Sequence, residues 1–152
     1  MNNQLKSKTR LAFIQIIFQF ISTNNDIDEI FNTFDINYKS TYIENFKDKK
    51  KIKFEFNSNF LKKLKDFYVE YTNKNEHLSI INNKIDFNRN FEKWDIINQS
   101  ILLAALSEID NTESLKIKIV LNDYLNISKL FINQNDISFI NAIIDRLINE
   151  KI

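Results

Sequence analysis

The chain of 152 residues contains neither glycine nor proline. Tight turns and strand connections commonly depend on these two residues, so their absence favours an all-helical fold. Any left-handed turn must then be formed by asparagine or aspartate, which tolerate a positive φ best. Glycine-rich phosphate loops are excluded as well, and with them the P-loop and the dinucleotide-binding fingerprint.

Apolar residues recur at three- and four-residue spacing along most of the chain, which is the period of amphipathic helices. The pattern predicts helices over 4–22, 27–34, 57–71, 76–85, 91–109, 115–131 and 136–150. We therefore expect an all-α, compact single domain over residues 1–152, built as a bundle of six or seven helices. We expect Asn57 or Ser58 to cap the helix that begins there, and Asp136 or Ser138 to cap the last helix.

Residues 35–56 are the most difficult segment to interpret. Lys51–Phe56 alternates between polar and apolar residues as a strand does, but a single strand would have no hydrogen-bonding partner. We therefore interpret residues 35–56 as a weakly helical, mobile connection.

The residues that carry most enzyme chemistry are scarce. The chain has no cysteine and one histidine, His77, which excludes disulfides, thiolate metal sites, multi-histidine sites and catalytic triads. We interpret His77 as a surface residue of a helix. Carboxylate pairs such as Glu108 with Asp110, or Asp26 with Asp28, lack the ligand spacing of a calcium loop. The sequence predicts a protein that is not an enzyme and has no cofactor or metal.

Charge is unevenly distributed, although the formal net charge is only +1. Residues 47–65 contain eight lysines and two acidic residues, and residues 1–25 contain Lys6, Lys8 and Arg10 without any acidic residue. A basic arm beside a helix can bind a phosphate backbone, and a nearby aromatic residue such as Phe18 can stack on an unpaired base. The alternative is a solvated helix start above an ordinary hydrophobic core.

The apolar run over residues 11–18 follows the basic arm, as it does in a signal peptide. Gln15 and Gln19 interrupt this run, and no small-residue cleavage site follows. No window offers 18 uninterrupted apolar residues. We expect a cytoplasmic protein that does not insert into a membrane.

Three blocks of sequence occur in an order known from one family. The blocks are Lys6–Gln19, Trp94–Ile109, and Leu121–Phe131 together with Phe139–Leu147. In the first block, Ala12, Gln15 and Phe18 stand where that family tends to have Ala, Gln and Tyr. The three blocks cover about half of the chain, and together they resemble the NusB family of transcription antitermination factors.

The resemblance implies an RNA-binding protein that recognises the boxA element of nascent RNA together with NusE, a small-subunit ribosomal protein. The pair would join an RNA polymerase antitermination complex that supports transcription of ribosomal RNA operons. The RNA-binding residues that the resemblance implies are Lys6, Lys8, Arg10, Phe18, Asn135, Ser138 and Phe139.

Other motif positions are expected to have structural roles or to lie at the partner surface. We expect Asn122, Asn141 and Asp145 to satisfy buried backbone groups or to cap helices. Leu103 and Ser107 replace an Arg and a Tyr of the family, a change that would alter polar contacts with the protein partner.

Two other functions fit the same pattern. One is a helical protein-interaction module of the same fold without significant RNA binding. The other is an RNA-binding appendage like those of some RNA methyltransferases, although this chain has no catalytic domain beside it.

Overall fold

The computed structural model describes residues 1–38, 41–44, 51–74 and 91–149. Within these ranges the chain forms six α-helices, which confirms the all-α prediction. The helices are α1 (Asn3–Thr23), α2 (Ile27–Tyr38), α3 (Ser58–Lys74), α4 (Ile96–Ile109), α5 (Ile117–Ser128) and α6 (Gln134–Asn149). The predicted helix over 76–85 and His77 lie outside the described residues. None of the described helices is long and apolar enough to cross a lipid bilayer.

Helices α1 and α4 form the centre of the bundle. α1 packs against α2, α3, α4 and α5, and α4 also contacts α6. Every residue of α4 from Gln99 to Ile109 is buried, and the side chains of Phe13 and Ile14 in α1 are fully buried. Burying one such side chain contributes about 1.5–3 kcal/mol. A helix that is apolar on nearly all sides belongs in an interior, which places α4 in the core, whereas α1 packs against it through the buried residues of its middle part.

Asparagine performs the turn and capping roles that glycine and proline cannot fill in this chain. Asn24 ends α1 in the left-handed conformation, with φ 57° and ψ 17°, and its N–H donates to Phe20 O at 2.9 Å. Asn57 Oδ1 accepts the Phe60 N–H at 2.8 Å, which confirms Asn57 as the cap of α3. The predicted cap of the last helix was wrong, because Asn133 Oδ1 accepts the Asp136 N–H at 2.9 Å.

The segment between α2 and α3 differs from the prediction. Residues 35–38 complete α2, and two strands follow, β1 (Thr41–Glu44) and β2 (Lys51–Phe54). The strands pair in antiparallel register, with Thr41 opposite Phe54 and Glu44 opposite Lys51. The prediction of a weakly helical connection was therefore wrong. The alternating pattern in Lys51–Phe56 did indicate a strand, because β2 covers Lys51–Phe54. The partner of β2 is β1, which begins ten residues before it.

Two predicted helices begin later than their apolar patterns suggested. Phe91–Lys93 forms a 3₁₀ turn in which the Trp94 N–H donates to Phe91 O at 3.0 Å, and α4 begins only at Ile96. A second 3₁₀ turn, Ser114–Lys116, precedes α5. Because each 3₁₀ turn precedes an α-helix, an apolar pattern that looks continuous in sequence is divided between two elements.

Candidate nucleic-acid interface

Arg10 lies in the interior and is held by two carboxylates. Its Nε donates to Glu108 Oε1 at 2.9 Å, its Nη2 to Glu108 Oε2 at 2.6 Å, and its Nη1 to Asp123 Oδ2 at 2.7 Å. Burial alone would lower the pKa of Arg10. The hydrogen bonds and negative charge of Glu108, with those of Asp123, outweigh burial and raise the pKa above its ordinary value. The guanidinium therefore stays charged inside the protein.

Neighbouring side chains complete this buried network. The Tyr124 hydroxyl donates to Glu108 Oε1 at 2.8 Å, and the Ser7 hydroxyl donates to Asp123 Oδ1 at 2.6 Å. Burial, reinforced by the charge of Glu108, raises the pKa of Tyr124 well above its ordinary value, so its phenol stays neutral. The Arg10 guanidinium also lies 5.8 Å from the centroid of the Tyr124 ring. The network joins α1, α4 and α5.

This placement gives Arg10 a role that the sequence did not suggest. The basic arm was interpreted as having no neutralising acid nearby, and for Arg10 this was wrong. Its acidic partners are 98 and 113 residues away in sequence. The available signal was Glu108, the one charged residue in the sequence of α4, because a buried acidic residue needs a partner. With its donors engaged by carboxylates, Arg10 is not presented to a phosphate.

Lys6 and Lys8 are half-buried residues in the first turns of α1, so the basic arm is helical. Lys8 Nζ lies 3.9 Å from Glu55 Oε2, and 32% of the Lys8 side chain is exposed. A long ion pair at a surface contributes little free energy and can exchange for another anion. The Lys8 ammonium group can therefore still approach a phosphate, and RNA contact by Lys6 and Lys8 stays a prediction.

Phe18 lies at the opposite end of α1 with 40% of its surface exposed. It borders a cleft of about 520 Å³. The described residues that line this cleft are Gln15, Phe18, Gln19, Phe34, Ile97, Leu130 and Phe131. They come from α1, α2, α4 and the segment after α5. Phe18 thus lies where the end of α1 approaches the end of α5.

The predicted site residues of α6 lie at the same end of the bundle. Phe139 is 47% exposed, and its ring centroid is 5.3 Å from that of Trp94. Trp94 precedes α4 by two residues, and Ile97 of α4 lines the cleft beside Phe18. Asn135 and Ser138 are exposed in the first turns of α6.

The structure therefore brings part of the predicted site together. Phe18, Phe139 and the start of α6 share one end of the bundle. Lys6 and Lys8 lie twelve and ten residues before Phe18, about 15–18 Å away along a helix that rises ~1.5 Å per residue. An extended strand of several nucleotides is needed to span both groups.

Other motif positions lie in unexpected environments. Leu103 and Ser107 are buried, and the Ser107 hydroxyl donates to Leu103 O at 2.6 Å, so they do not form a partner surface. Asn122 and Asp145 are exposed and line, with Asn141, an open cavity of about 640 Å³. The expectation that Asn122 and Asp145 satisfy buried groups was wrong.

Comparisons with a family model and with individual proteins both match this chain to the same family. The sequence model of the NusB family matches residues 7–149. Several similar proteins bear the name "Transcription antitermination protein NusB". The one from Rickettsia felis is 28% identical over 150 residues, which cover 96% of this chain and 92% of that protein. The one from Rickettsia bellii (strain OSU 85-389) is 27% identical over 147 residues, covering 96% and 91%. The one from Rickettsia akari is 28% identical over 148 residues, covering 96% and 92%.

Proposed function

The chain belongs to the NusB family, and from this premise we propose that it is a non-catalytic, RNA-binding transcription antitermination factor of the cytoplasm. In this proposal it binds the boxA element of nascent RNA as a heterodimer with NusE. The pair joins the RNA polymerase antitermination complex and supports processive transcription of ribosomal RNA operons. The names of the Rickettsia relatives support the antitermination role.

The observation that carries RNA binding is the pair of exposed aromatic rings at one end of the bundle. Phe18 is 40% exposed and Phe139 is 47% exposed, whereas Phe13 and Phe91 are fully buried. Unpaired RNA bases stack on exposed aromatic rings, and each such contact contributes about 1–3 kcal/mol. Asn135 and Ser138, exposed in the first turns of the same helix as Phe139, supply polar groups beside the rings.

Lys6 and Lys8 supply the electrostatic part of the proposed surface. Because Arg10 is engaged by Glu108 and Asp123, we propose that it supports the fold and does not contact phosphates. The number of neutralised phosphates sets how steeply affinity falls with salt. For single strands the slope of log K against log [salt] is about −0.7 per phosphate, so two lysines give about −1.4. Participation of Arg10 would steepen the slope to about −2.1.

The test is fluorescence anisotropy of a labelled boxA-like RNA, titrated with the protein at several salt concentrations, with and without NusE. We expect salt-sensitive binding that strengthens with NusE and weakens with a scrambled RNA. Lys6→Ala and Lys8→Ala should each flatten the salt slope by about 0.7. Lys62→Ala, which changes an exposed lysine of α3 outside the proposed surface, should leave the slope unchanged. A well-folded protein that binds no RNA in either condition would refute the proposal.

One observation favours the second candidate, a protein-interaction module of the same fold. Leu115 is 92% exposed and Ile119 is 68% exposed, and the two residues are four apart in sequence across the start of α5. Neighbouring exposed apolar side chains commonly mark a protein contact. This candidate predicts binding to NusE without measurable affinity for RNA, which the same titrations detect.

A further inference from the structure

The cleft beside Phe18 is bordered by two amide side chains, those of Gln15 and Gln19. Gln15 and Gln19 are four residues apart, so they lie on the same face of α1. Across residues 1–38, 55–74 and 91–149, neither amide group makes a hydrogen bond to another protein group. Each amide offers donors and an acceptor at the edge of the cleft.

The remaining surface of the cleft is apolar. Phe34, Ile97 and Leu130 contribute side chains that are buried or half-buried, and the partly exposed ring of Phe18 lies at the border. The volume of about 520 Å³ is within the range of ~300–1,000 Å³ that is typical of small-ligand sites. The described lining residues are all uncharged, so the cleft does not suit a phosphate or an isolated cation.

These features match a flat, uncharged ligand that has polar groups along one edge. We propose that this cleft holds one unpaired RNA nucleobase, which lies against Phe18 and is hydrogen-bonded along its edge by Gln15 and Gln19. The inference rests on the proposed RNA-binding function and adds a site that reads sequence. A carboxamide can pair with a donor and an acceptor that are adjacent on a base, as Gln does with adenine. Two amides one turn apart can therefore select among bases.

The position of the cleft supports a nucleobase over a protein side chain. It opens at the end of the bundle where Phe18, Phe139 and the start of α6 lie, so a strand that stacks on these rings passes its entrance. The two amides are best satisfied by a partner that offers several donors and acceptors along one flat edge. A base edge carries two or three polar groups and can satisfy both.

The experiment measures base preference position by position. The probes are a boxA-like RNA and a set of variants of this RNA, each with one nucleotide replaced, and the measurement is Kd by anisotropy. For the unaltered protein we expect one position where the wrong base weakens binding about 5- to 150-fold, the range that corresponds to ~1–3 kcal/mol for a bidentate contact. Gln15→Met and Gln19→Met retain length and helix propensity but remove the amide, and they should abolish this preference at that position alone.

Gln4→Met is the matched control, because Gln4 is an exposed glutamine of the same helix, far from the cleft. It should leave all base preferences unchanged. Gln19 is exposed, so Gln19→Met should fold normally, and circular dichroism verifies the helical content of each variant.

The outcomes separate this inference from the proposed function. If the unaltered protein binds RNA and both Met variants retain every base preference, the base-reading cleft is wrong and the proposed function stands. If the variants retain RNA preferences but lose affinity for NusE, the cleft binds the protein partner and the inference is overturned. If the unaltered protein binds no RNA, the proposed function fails and the inference fails with it.

Discussion

Replacing Arg10 by methionine tests the buried network directly. Arg10→Met retains the length of the side chain but leaves the carboxylates of Glu108 and Asp123 without their cation. The side chain of Glu108 is only 7% exposed, and among the described residues Tyr124 alone would still donate a hydrogen bond to it. Removing one partner of a buried ion pair costs about 3–5 kcal/mol, because an uncompensated charge stays in the interior. The side chain of Asp123 is 19% exposed and partly hydrated, which favours the lower end of this range.

The loss is large compared with the stability of a typical domain, about 5–15 kcal/mol. For a chain of this length, each kcal/mol corresponds to about 2–4 °C in Tm, so Arg10→Met should lower Tm by about 6–20 °C. The assay is urea and thermal unfolding followed by circular dichroism at 222 nm. Lys62→Met is the matched control on an exposed face, and it should change stability by less than about 0.5 kcal/mol. A loss for Arg10→Met no larger than that of the control would refute the reasoning.

A double-mutant cycle identifies the source of the loss. In the Arg10→Met background, Glu108→Gln replaces the uncompensated carboxylate by a neutral amide that can still bond Tyr124. The second change should therefore cost much less than it does in the unaltered protein, with a coupling free energy between about 0.5 and 3 kcal/mol. Additive losses would show that the two side chains act independently. Arg10→Met, at a temperature where it stays folded, should also retain the salt slope of RNA binding, because Arg10 contributes no phosphate contact in our proposal.

Two further predictions concern stability. Burial raises the pKa of Tyr68 to about 12, and burial together with the charge of Asp110 raises the pKa of Tyr71 to about 12, from an ordinary value of 10.0. Because folding favours the protonated phenols, their stabilisation is complete below pH 10 and is lost as pH rises from 10 to 12. The chain has five tyrosines, so the absorbance at 295 nm is compared with that of Tyr68→Phe and Tyr71→Phe variants. The difference should show both phenols ionising as helicity disappears, and their ionisation near pH 10 with intact helicity would contradict this. Asn24→Ala should lower the free energy of unfolding by about 1–2 kcal/mol, because Asn24 has φ 57°. Asn24→Gly should not lower it, and equal losses for the two variants would exclude a backbone origin.

Local patterns predicted much of the fold. The helices were recognised because apolar residues in α1, α3, α5 and α6 recur with the helical period, which is a property of neighbouring residues. The lack of glycine predicted that an asparagine or aspartate would form any left-handed turn, and Asn24 does so. Pairing of β1 with β2 was missed because a strand is stabilised by hydrogen bonds to another segment, and no periodicity within Lys51–Phe54 identifies that segment.

The site was predicted less completely, for the same physical reason. Phe18 and Phe139 were named from a family resemblance, and the structure places both at one end of the bundle. Whether they touch RNA stays a prediction. Arg10 looked like an exposed cation because its acidic partners are supplied by α4 and α5, which only the fold brings close. The cleft that Gln15 and Gln19 border could not be predicted either, because its other walls come from α2, α4 and the segment after α5.

The burial of Arg10 bears on how such a protein achieves affinity for RNA. In the described network one guanidinium faces two carboxylates, so it carries a net negative charge of about one and adds no attraction for a phosphate backbone. Two lysines release few counterions, and the electrostatic contribution is correspondingly small at physiological salt. In our proposal, stacking on Phe18 and Phe139 and contacts to single bases then supply most of the free energy. A surface limited in this way favours a binding site shared with a second protein, which agrees with the proposed heterodimer with NusE.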